Sequence, residues 1–179
     1  MNKILALSIV LTTLCGFQQS YAHDAPTENT QQYVSSTLRI DGAVKHPLTL
    51  NLQHLAEYPQ TIQKIEIRKK NGVESPPASY QGVLLTTLLE KSEIMVTDHN
   101  DVKRMMVIAS AKDGCRVVFS WSELFNTSVG RGVMVVLQKD GKTLDEHSGQ
   151  LALISSQDQL TGPRFVKWLD HIEVIKVVE

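Results

Sequence analysis

The sequence predicts a β-rich α+β fold with mixed sheets, and three observations support this prediction. Short apolar segments with strand-like alternation recur along the chain, and turn pairs such as Asp41-Gly42 and Asp113-Gly114 separate them. Only residues 83–93 have the apolar spacing of a long helix. The length of 179 residues corresponds to about one domain. Strands that share turns, with a single long helix, favour an α+β fold over a doubly wound α/β sheet.

The strand predictions follow the chain in order. They cover residues 37–40, 44–50, 62–67, 103–111, 115–121, 133–139, 151–154, 165–169 and 172–178. Pro47 places the second strand at a sheet edge, because proline cannot donate to the hydrogen-bond ladder. Asp113-Gly114 joins two strands into a hairpin. The strongly apolar strand at 133–139 is predicted to be central, with Asp140-Gly141 as the turn that ends it.

Three helical segments are predicted between these strands. Residues 52–56 form a brief helix that stops before Pro59, because the residue ahead of a proline is pushed out of the α region. Residues 83–93 form the longest helix, and residues 122–125 form one helical turn.

Composition and charge exclude several classes of protein. The chain has 18 Lys and Arg against 19 Asp and Glu, which gives a formal net charge of −1. This balance argues against a nucleic-acid partner, which usually requires a basic excess or a basic face. A hydrophobic content of 42% and a charged content of 21% indicate a globular chain rather than a disordered one.

Residues 1–22 have the layout of a secretory signal peptide. A short basic start is followed by the apolar run 4–14, and Ser20 and Ala22 are the small residues of a cleavage site. A retained signal anchor is an alternative, although the run is shorter than the ~20 residues that span a bilayer. A lipoprotein modified at Cys15 is a weaker alternative, because Leu14 stands where a small residue is expected. We predict a periplasmic protein with no membrane span in the mature chain.

The domain boundaries follow from this leader. Residues 23–36 are polar and without periodicity, and they are predicted to be a flexible lead-in. Residues 37–179 form the single folded domain. After cleavage Cys115 is the only cysteine, and we predict a buried, inert thiol, with a ligated or reactive thiol as the alternative.

Motifs that carry chemistry are sparse. The chain has no Walker or Rossmann phosphate loop, no CxxC, no HExxH and no GxSxG. Gly130-Arg131-Gly132 is interpreted as a turn before a strand, and the six histidines have no spacing typical of a metal site. His23 would become the first residue and could chelate copper with its own amine, but a polar tail offers no rigid second ligand. We predict no metal site and no catalytic residue.

Four segments, in order, carry a family resemblance. The last contains Val166-Lys167-Trp168-Leu169 followed by Ile172 and Val174. Upstream are residues 38–44, residues 80–85 with Leu88-Leu89, and residues 111–114. Together they resemble the molybdopterin-binding domain of sulfite-oxidase-type oxidoreductases, over about residues 37–178. The resemblance implies the β-rich mixed-sheet fold of that domain, and molybdopterin as the cofactor.

This chain departs from the family pattern at the residue that binds the metal. Catalytic members ligate molybdenum through a cysteine that precedes the helix of the second segment, whereas this chain has no cysteine between Cys15 and Cys115. Residues 65–68 occupy the corresponding region. An arginine of the family pattern is replaced by Ala152, and a proline by Ser155-Ser156. The metal-ligating thiolate is therefore expected to be lost.

The resemblance implies three cofactor-binding candidates, Lys167, Arg164 and His147, because a bound phosphate needs cationic or N–H donors. Each has a structural alternative: Lys167 snorkels at a strand edge, Arg164 is a solvated loop charge and His147 lies on the surface. Trp168 is expected in the core.

Two functions remain open. The first is a molybdopterin-dependent periplasmic oxidoreductase. The second, which we predict, is an exported, degenerate relative that binds an anionic small ligand, or an exported protein partner, without molybdenum catalysis. Whether the chain is an enzyme is left open.

Overall fold

A computed structural model describes residues 30–72 and 76–178. The predicted signal peptide and residues 23–29 of the lead-in lie outside the described residues. The strands are β1 (Thr37–Gly42), β2 (Leu48–Asn51), β3 (Thr61–Ile65), β4 (Ala78–Leu84), β5 (Met105–Ala111), β6 (Arg116–Ser120), β7 (Val133–Lys139), β8 (Lys142–Thr143), β9 (Ala152–Ser155) and β10 (Leu169–Lys176). The helices are α1 (Leu52–Ala56), α2 (Leu85–Ser92) and α3 (Trp121–Asn126), with 3-10 helices at Thr30–Tyr33, His99–Arg104 and Val129–Arg131. None of the described helices is long and apolar enough to cross a bilayer.

The strands form two sheets. The first has the order β2-β1-β10-β5-β6, in which β1 and β10 are parallel and the other neighbours are antiparallel. The second has the order β3-β4-β7-β8, and β9 also pairs with β7. Parallel and antiparallel pairs share the first sheet and helices are few, so the predicted α+β, mixed-sheet fold class is confirmed. β2 lies at an edge and β7 is central, as Pro47 and the apolar run predict.

Hydrophobic side chains form two clusters. The inner core takes the buried residues of both sheets, such as Ile40, Phe119 and Val135, together with α1 and α2. The outer cluster takes residues from the opposite face of the second sheet, including Tyr80, Met134 and Val136. β7 is therefore buried on both faces, which explains its nearly continuous apolar sequence.

Two predicted elements are wrong in part. The helix predicted at 83–93 begins at Leu85, because Val83 and Leu84 belong to β4 and pair with β7. The spacing of Val83, Leu84, Thr87 and Leu88 fits a helix, but it also fits a strand that is buried on both faces and runs into a helix. Residues 165–169 are not a separate strand. Val166 makes a single bridge to Leu153, and Trp168 has a positive φ of 52° just before β10 begins.

The described end of the lead-in is attached to the domain. Tyr33 packs against Trp168 with ring centroids 5.6 Å apart. Lys112 Nζ donates to the Val34 carbonyl at 2.8 Å, and the buried Ser35 hydroxyl donates to Thr37 and to Asp170. Residues 30–36 therefore contact the domain through an aromatic pair and several hydrogen bonds.

A buried carboxylate ties the start of β5 to the end of β10. Asp101 is 1% exposed, and its oxygens accept hydrogen bonds from Lys176 Nζ at 2.7 Å and Arg104 Nη2 at 2.8 Å. The backbone N–H and the hydroxyl of Thr97 donate to it as well. The Lys176 bond, followed by the Thr97 N–H, holds the pKa of Asp101 far below its usual range.

We expect the Asp101 carboxylate to make stability depend on acid pH. A carboxyl whose pKa is lowered on folding stabilises the fold above its unfolded pKa of about 3.9, and this contribution is lost as the pH falls below that value. Asp101→Asn should therefore be less stable than wild type at neutral pH and should lose less further stability on acidification. Urea denaturation at several pH values checks this. Equal pH profiles for wild type, Asp101→Asn and Lys176→Met would contradict it.

Candidate functional site

Residues 66–69 form a ridge on the outer face of the second sheet, with a depression on either side. Thr161 holds this ridge, because its hydroxyl donates to the Glu66 carbonyl at 2.7 Å and accepts from the Arg68 N–H at 2.8 Å. The Gly162 N–H also donates to the Arg68 carbonyl at 2.8 Å. Ile67 points into the outer cluster, whereas Glu66 and Arg68 point to the other side. The ridge thus has a fixed geometry.

The smaller depression, of about 200 Å³, is the three-lysine pocket. It is lined by Ile67, Lys69, Tyr80, Lys139, Leu144, Ser148, Phe165 and Lys167. The lining contains three cationic side chains, two aromatic rings and no carboxylate. Asp140 and Asp145 lie outside the lining, although their charges act on Tyr80 and Lys167 respectively. The lining itself is therefore cationic, with two aromatic rings.

The three ammonium groups form no ion pair with the rest of the described chain. Lys139 Nζ lies 5.8 Å from the centre of the Tyr80 ring, and Lys167 Nζ lies 5.8 Å from the centre of the Trp168 ring. Cation–π contacts of this kind stabilise exposed ammonium groups only weakly and leave their N–H donors available. The pocket can therefore offer several charged donors to an anion.

A β-bulge aims Lys139 into the pocket. Val133, Val135 and Leu137 of β7 face the inner core, and strict alternation would place residue 139 on that same side. Between Gln81 and Gly82 of β4 the register with β7 shifts by one residue, so Tyr80 pairs directly with Lys139. Lys139 consequently shares the face of Tyr80.

Tyr80 supplies an uncharged donor on the pocket floor. The residue is 3% exposed, and Phe165 packs against its ring edge with centroids 6.5 Å apart. Its hydroxyl has no hydrogen-bond partner among the described residues. Burial, with a smaller effect from Asp140, raises the pKa of Tyr80, so the phenol keeps its proton. No buried side-chain oxygen or nitrogen lacks a partner among the described residues, so the Tyr80 hydroxyl reaches the pocket surface, where it can donate to a bound molecule or to water.

Of the three predicted site residues, only Lys167 lines this pocket. His147 is exposed and is not in the lining, although its neighbour Ser148 is. Trp168, which we expected in the core, is partly exposed and donates from Nε1 to the Glu146 carbonyl at 2.8 Å.

Arg164 is neither solvated nor in the pocket. Its guanidinium pairs with Asp158, with Nε 2.7 Å from Oδ2, and with Glu123 Oε1 at 3.0 Å. The same group lies 4.2 Å from the centre of the Phe119 ring. The hydrogen bond to Asp158 is the main cause of its raised pKa. The structure therefore places Arg164 inside an ion-pair network.

Cys115 lies in the turn between β5 and β6 and is exposed, so the prediction of a buried thiol is wrong. The Asp113 side chain holds this turn by accepting from the Cys115 N–H at 2.9 Å. Partial burial, followed by the charge of Asp113, raises the pKa of the thiol. The thiol is therefore not activated as a thiolate.

Comparison with known proteins shows which family the chain belongs to. A family model described as "Oxidoreductase molybdopterin binding domain" matches residues 23–179. The chain belongs to this family. The domain is similar in fold to the sulfane dehydrogenase SoxCD from Paracoccus pantotrophus, with a TM-score of 0.62 and 18% identity. The match covers 81% of this chain and 38% of that chain, so the similarity concerns one part of a longer protein. No curated protein matches the sequence significantly.

The residues of the larger depression, of about 610 Å³, show whether this chain could hold the molybdenum of the family. This depression contains the region where related enzymes carry the metal-ligating cysteine, and here Glu66 and Arg68 point into it. The two side chains pair with each other, with Arg68 Nε 3.1 Å from Glu66 Oε2. No thiol lines this cleft, and no group of three His, Cys, Asp or Glu side chains able to hold a metal occurs within 30–72 and 76–178. The donor set does not fit molybdenum ligated by a protein thiolate.

Sequence reasoning missed three members of the pocket, Lys69, Lys139 and Tyr80. Tyr80 stands in one of the segments that carry the family resemblance, but it was attributed to the start of a helix. Lys139 ends an apolar strand and has no sequence feature that separates it from other surface lysines. Only the fold brings these residues to Lys167.

Proposed function

We propose that this family member is an exported protein that binds an anionic small ligand in the three-lysine pocket. It does not use a protein thiolate to carry out molybdenum chemistry. The single observation that supports this function is the unpaired set of Lys69, Lys139 and Lys167 around the unpartnered Tyr80 hydroxyl. Export to the periplasm rests on the signal-peptide layout of residues 1–22.

An anion is the ligand that this electrostatic arrangement favours. Three ammonium groups around one small cavity repel each other, and a ligand with negative charge would relieve that repulsion. Hydrogen bonds between charged partners are about twice as strong as neutral ones. The Tyr80 phenol can add one neutral hydrogen bond, and the rings of Tyr80 and Phe165 suit an apolar body attached to the anionic group.

The larger cleft is a poorer anion site, because its charges already have partners. Arg68 is bound to Glu66, and Asp158 is bound to Arg164. Lys64 is the one cation of its lining that pairs with no other described residue. This contrast makes Lys64 a matched control for the pocket lysines.

The proposal is tested first on the protein taken from its own compartment. Native mass spectrometry of the mature chain is expected to show a small bound anion, and elemental analysis is expected to show no stoichiometric molybdenum. A pterin retained without the metal would be detected by fluorescence after acid oxidation. About one molybdenum per chain would instead support a molybdopterin-dependent oxidoreductase and would overturn the non-catalytic proposal.

Charge reversal at Lys167 is expected to weaken anion binding strongly. Inorganic phosphate serves as the probe, measured by titration calorimetry. Lys167→Glu should weaken phosphate binding by at least about tenfold, since it removes a charge-assisted bond and adds a repelling carboxylate. Lys139→Glu should act in the same direction, and Lys64→Glu should leave the affinity unchanged. Loss of binding in Lys64→Glu alone would place the ligand in the larger cleft.

A further inference from the structure

The first sheet has an outer face that is unusually apolar. Its strands bury one set of alternate residues in the inner core, and the other set points away from it. A sheet face in contact with water normally carries polar residues. Here the outward positions of three neighbouring strands carry Met106, Ile108, Val118 and Ile175, and Val177 continues the row. Polar residues, Ser110, Ser120 and His171, occupy outward positions at the margin of this apolar group. Val118 is 50% exposed and Val177 is 45% exposed.

We define these five apolar residues, with Glu173 and Arg116, as the sheet patch. Met106, Ile108 and Ile175 are partly buried, and Val118 and Val177 are exposed. A contiguous apolar group that reaches the surface in this way can mark an interaction site. Glu173 and Arg116 have opposite charges, and neither forms an ion pair with another described residue. From these features we infer that the sheet patch pairs with the sheet patch of a second copy of the chain, in a two-fold symmetric dimer.

The strand register explains why a second copy fits. Glu173, Ile108 and Val118 lie in one row across β10, β5 and β6. Arg116 lies two residues from Val118, or about 7 Å along the strand. A two-fold axis that runs parallel to the strands, midway between the two facing sheets and above Ile108, would place each Glu173 over the Val118 position of the other copy. The long side chains of Glu173 and Arg116 can then meet across the interface, twice.

Because the sheet patch is complementary in charge to itself, it favours a second copy of the chain over a different protein. An isologous interface uses the same patch on both subunits, so it needs both signs of charge within one patch. The sheet patch has one unpaired residue of each sign, on opposite sides of Ile108. A strongly acidic or strongly basic partner would satisfy only one of them.

The size of the sheet patch determines how strong we expect the dimer to be. Three strands at the usual spacing, each with about five residues, cover roughly 14 Å by 17 Å. This is on the order of 240 Å² per subunit, about a third of a standard interface. The dimer is therefore expected to be weak and to depend on concentration.

Sedimentation equilibrium of the full mature chain over a range of concentrations tests the dimer. Glu173→Arg and Arg116→Glu should each raise the dimer dissociation constant by about tenfold, since each places like charges together. The double variant should restore dimerisation to near the wild-type value. Val118→Asp should weaken it without any change to the charged pair, and Glu57→Arg, far from the patch on the exposed end of α1, should have no effect.

Circular dichroism establishes that each variant is folded before it is compared. A wild-type chain that remains monomeric at its highest soluble concentration would overturn the dimer. A double variant that associates more weakly than either single variant would also overturn it, because the proposed pair requires mutual rescue.

Discussion

Replacing Gly82 with valine is expected to destabilise the domain strongly. Gly82 lies in β4 beside the bulge of β7, and a Cβ at this position would overlap the carbonyl oxygen of Val135. The obstructing atoms belong to the backbone of a strand buried on both faces, so the clash cannot be relieved by a rotamer change. The cost is expected to be about 3 kcal/mol or more, a large fraction of the 5–15 kcal/mol that stabilises a typical domain.

Urea denaturation measures this effect, and Gly82→Ala gives a milder test of the same contact. Gly141→Ala is the matched control, because a Cβ there meets open space and the only penalty comes from its positive φ of 74°. That penalty is expected to be about 1 kcal/mol. Wild-type stability in Gly82→Ala would show that β4 and β7 are not packed as closely as described.

Replacing Arg164 with methionine is expected to destabilise the domain and to leave phosphate binding intact. Arg164 is 21% exposed, and its removal would leave Asp158 and Glu123 without a cation. Breaking a buried pair costs about 3–5 kcal/mol, and we expect about 2–3 kcal/mol here because part of the network contacts water. Arg164→Lys should be intermediate, since it keeps the charge but loses the bidentate geometry.

Two further measurements separate a structural role from a ligand-binding role. Adding Asp158→Asn to Arg164→Met should recover part of the lost stability, because it removes one of the uncompensated carboxylates. Phosphate affinity should stay at the wild-type value in folded Arg164→Met. A stable variant that no longer binds phosphate would instead place Arg164 in the ligand site.

Local signals predicted much of the secondary structure. Helix α1 begins and ends at the predicted residues, and its stop ahead of Pro59 is encoded within a few positions. The β5–β6 hairpin follows from Asp113-Gly114 and two alternating segments. The four segments that carry the family resemblance predicted the overall fold. Their order along the chain reflects the topology of the whole domain rather than the position of any one strand.

The candidate site was harder to predict because it depends on long-range pairing. Lys69, Tyr80, Lys139 and Lys167 come from four separate segments, and the bulge that turns Lys139 outward exists only in the paired sheet. Arg164 was predicted as a ligand contact from the family resemblance, and local sequence did not indicate its ion pairs with Asp158 and Glu123. Glu123 lies on α3, and Asp158 lies in a loop that follows β9. No pattern within 165–171 identifies either partner.

The position of β10 has a consequence for how the chain matures. The last strand is inserted between β1 and β5, so the middle of the first sheet stays vacant until the final residues have been synthesised. Pairing between β1 and β10 closes a loop of well over a hundred residues, and such long loops slow the folding reaction. For the exported protein that we propose, this delay would favour translocation, because a translocation channel accepts a chain only while its sheet is incomplete.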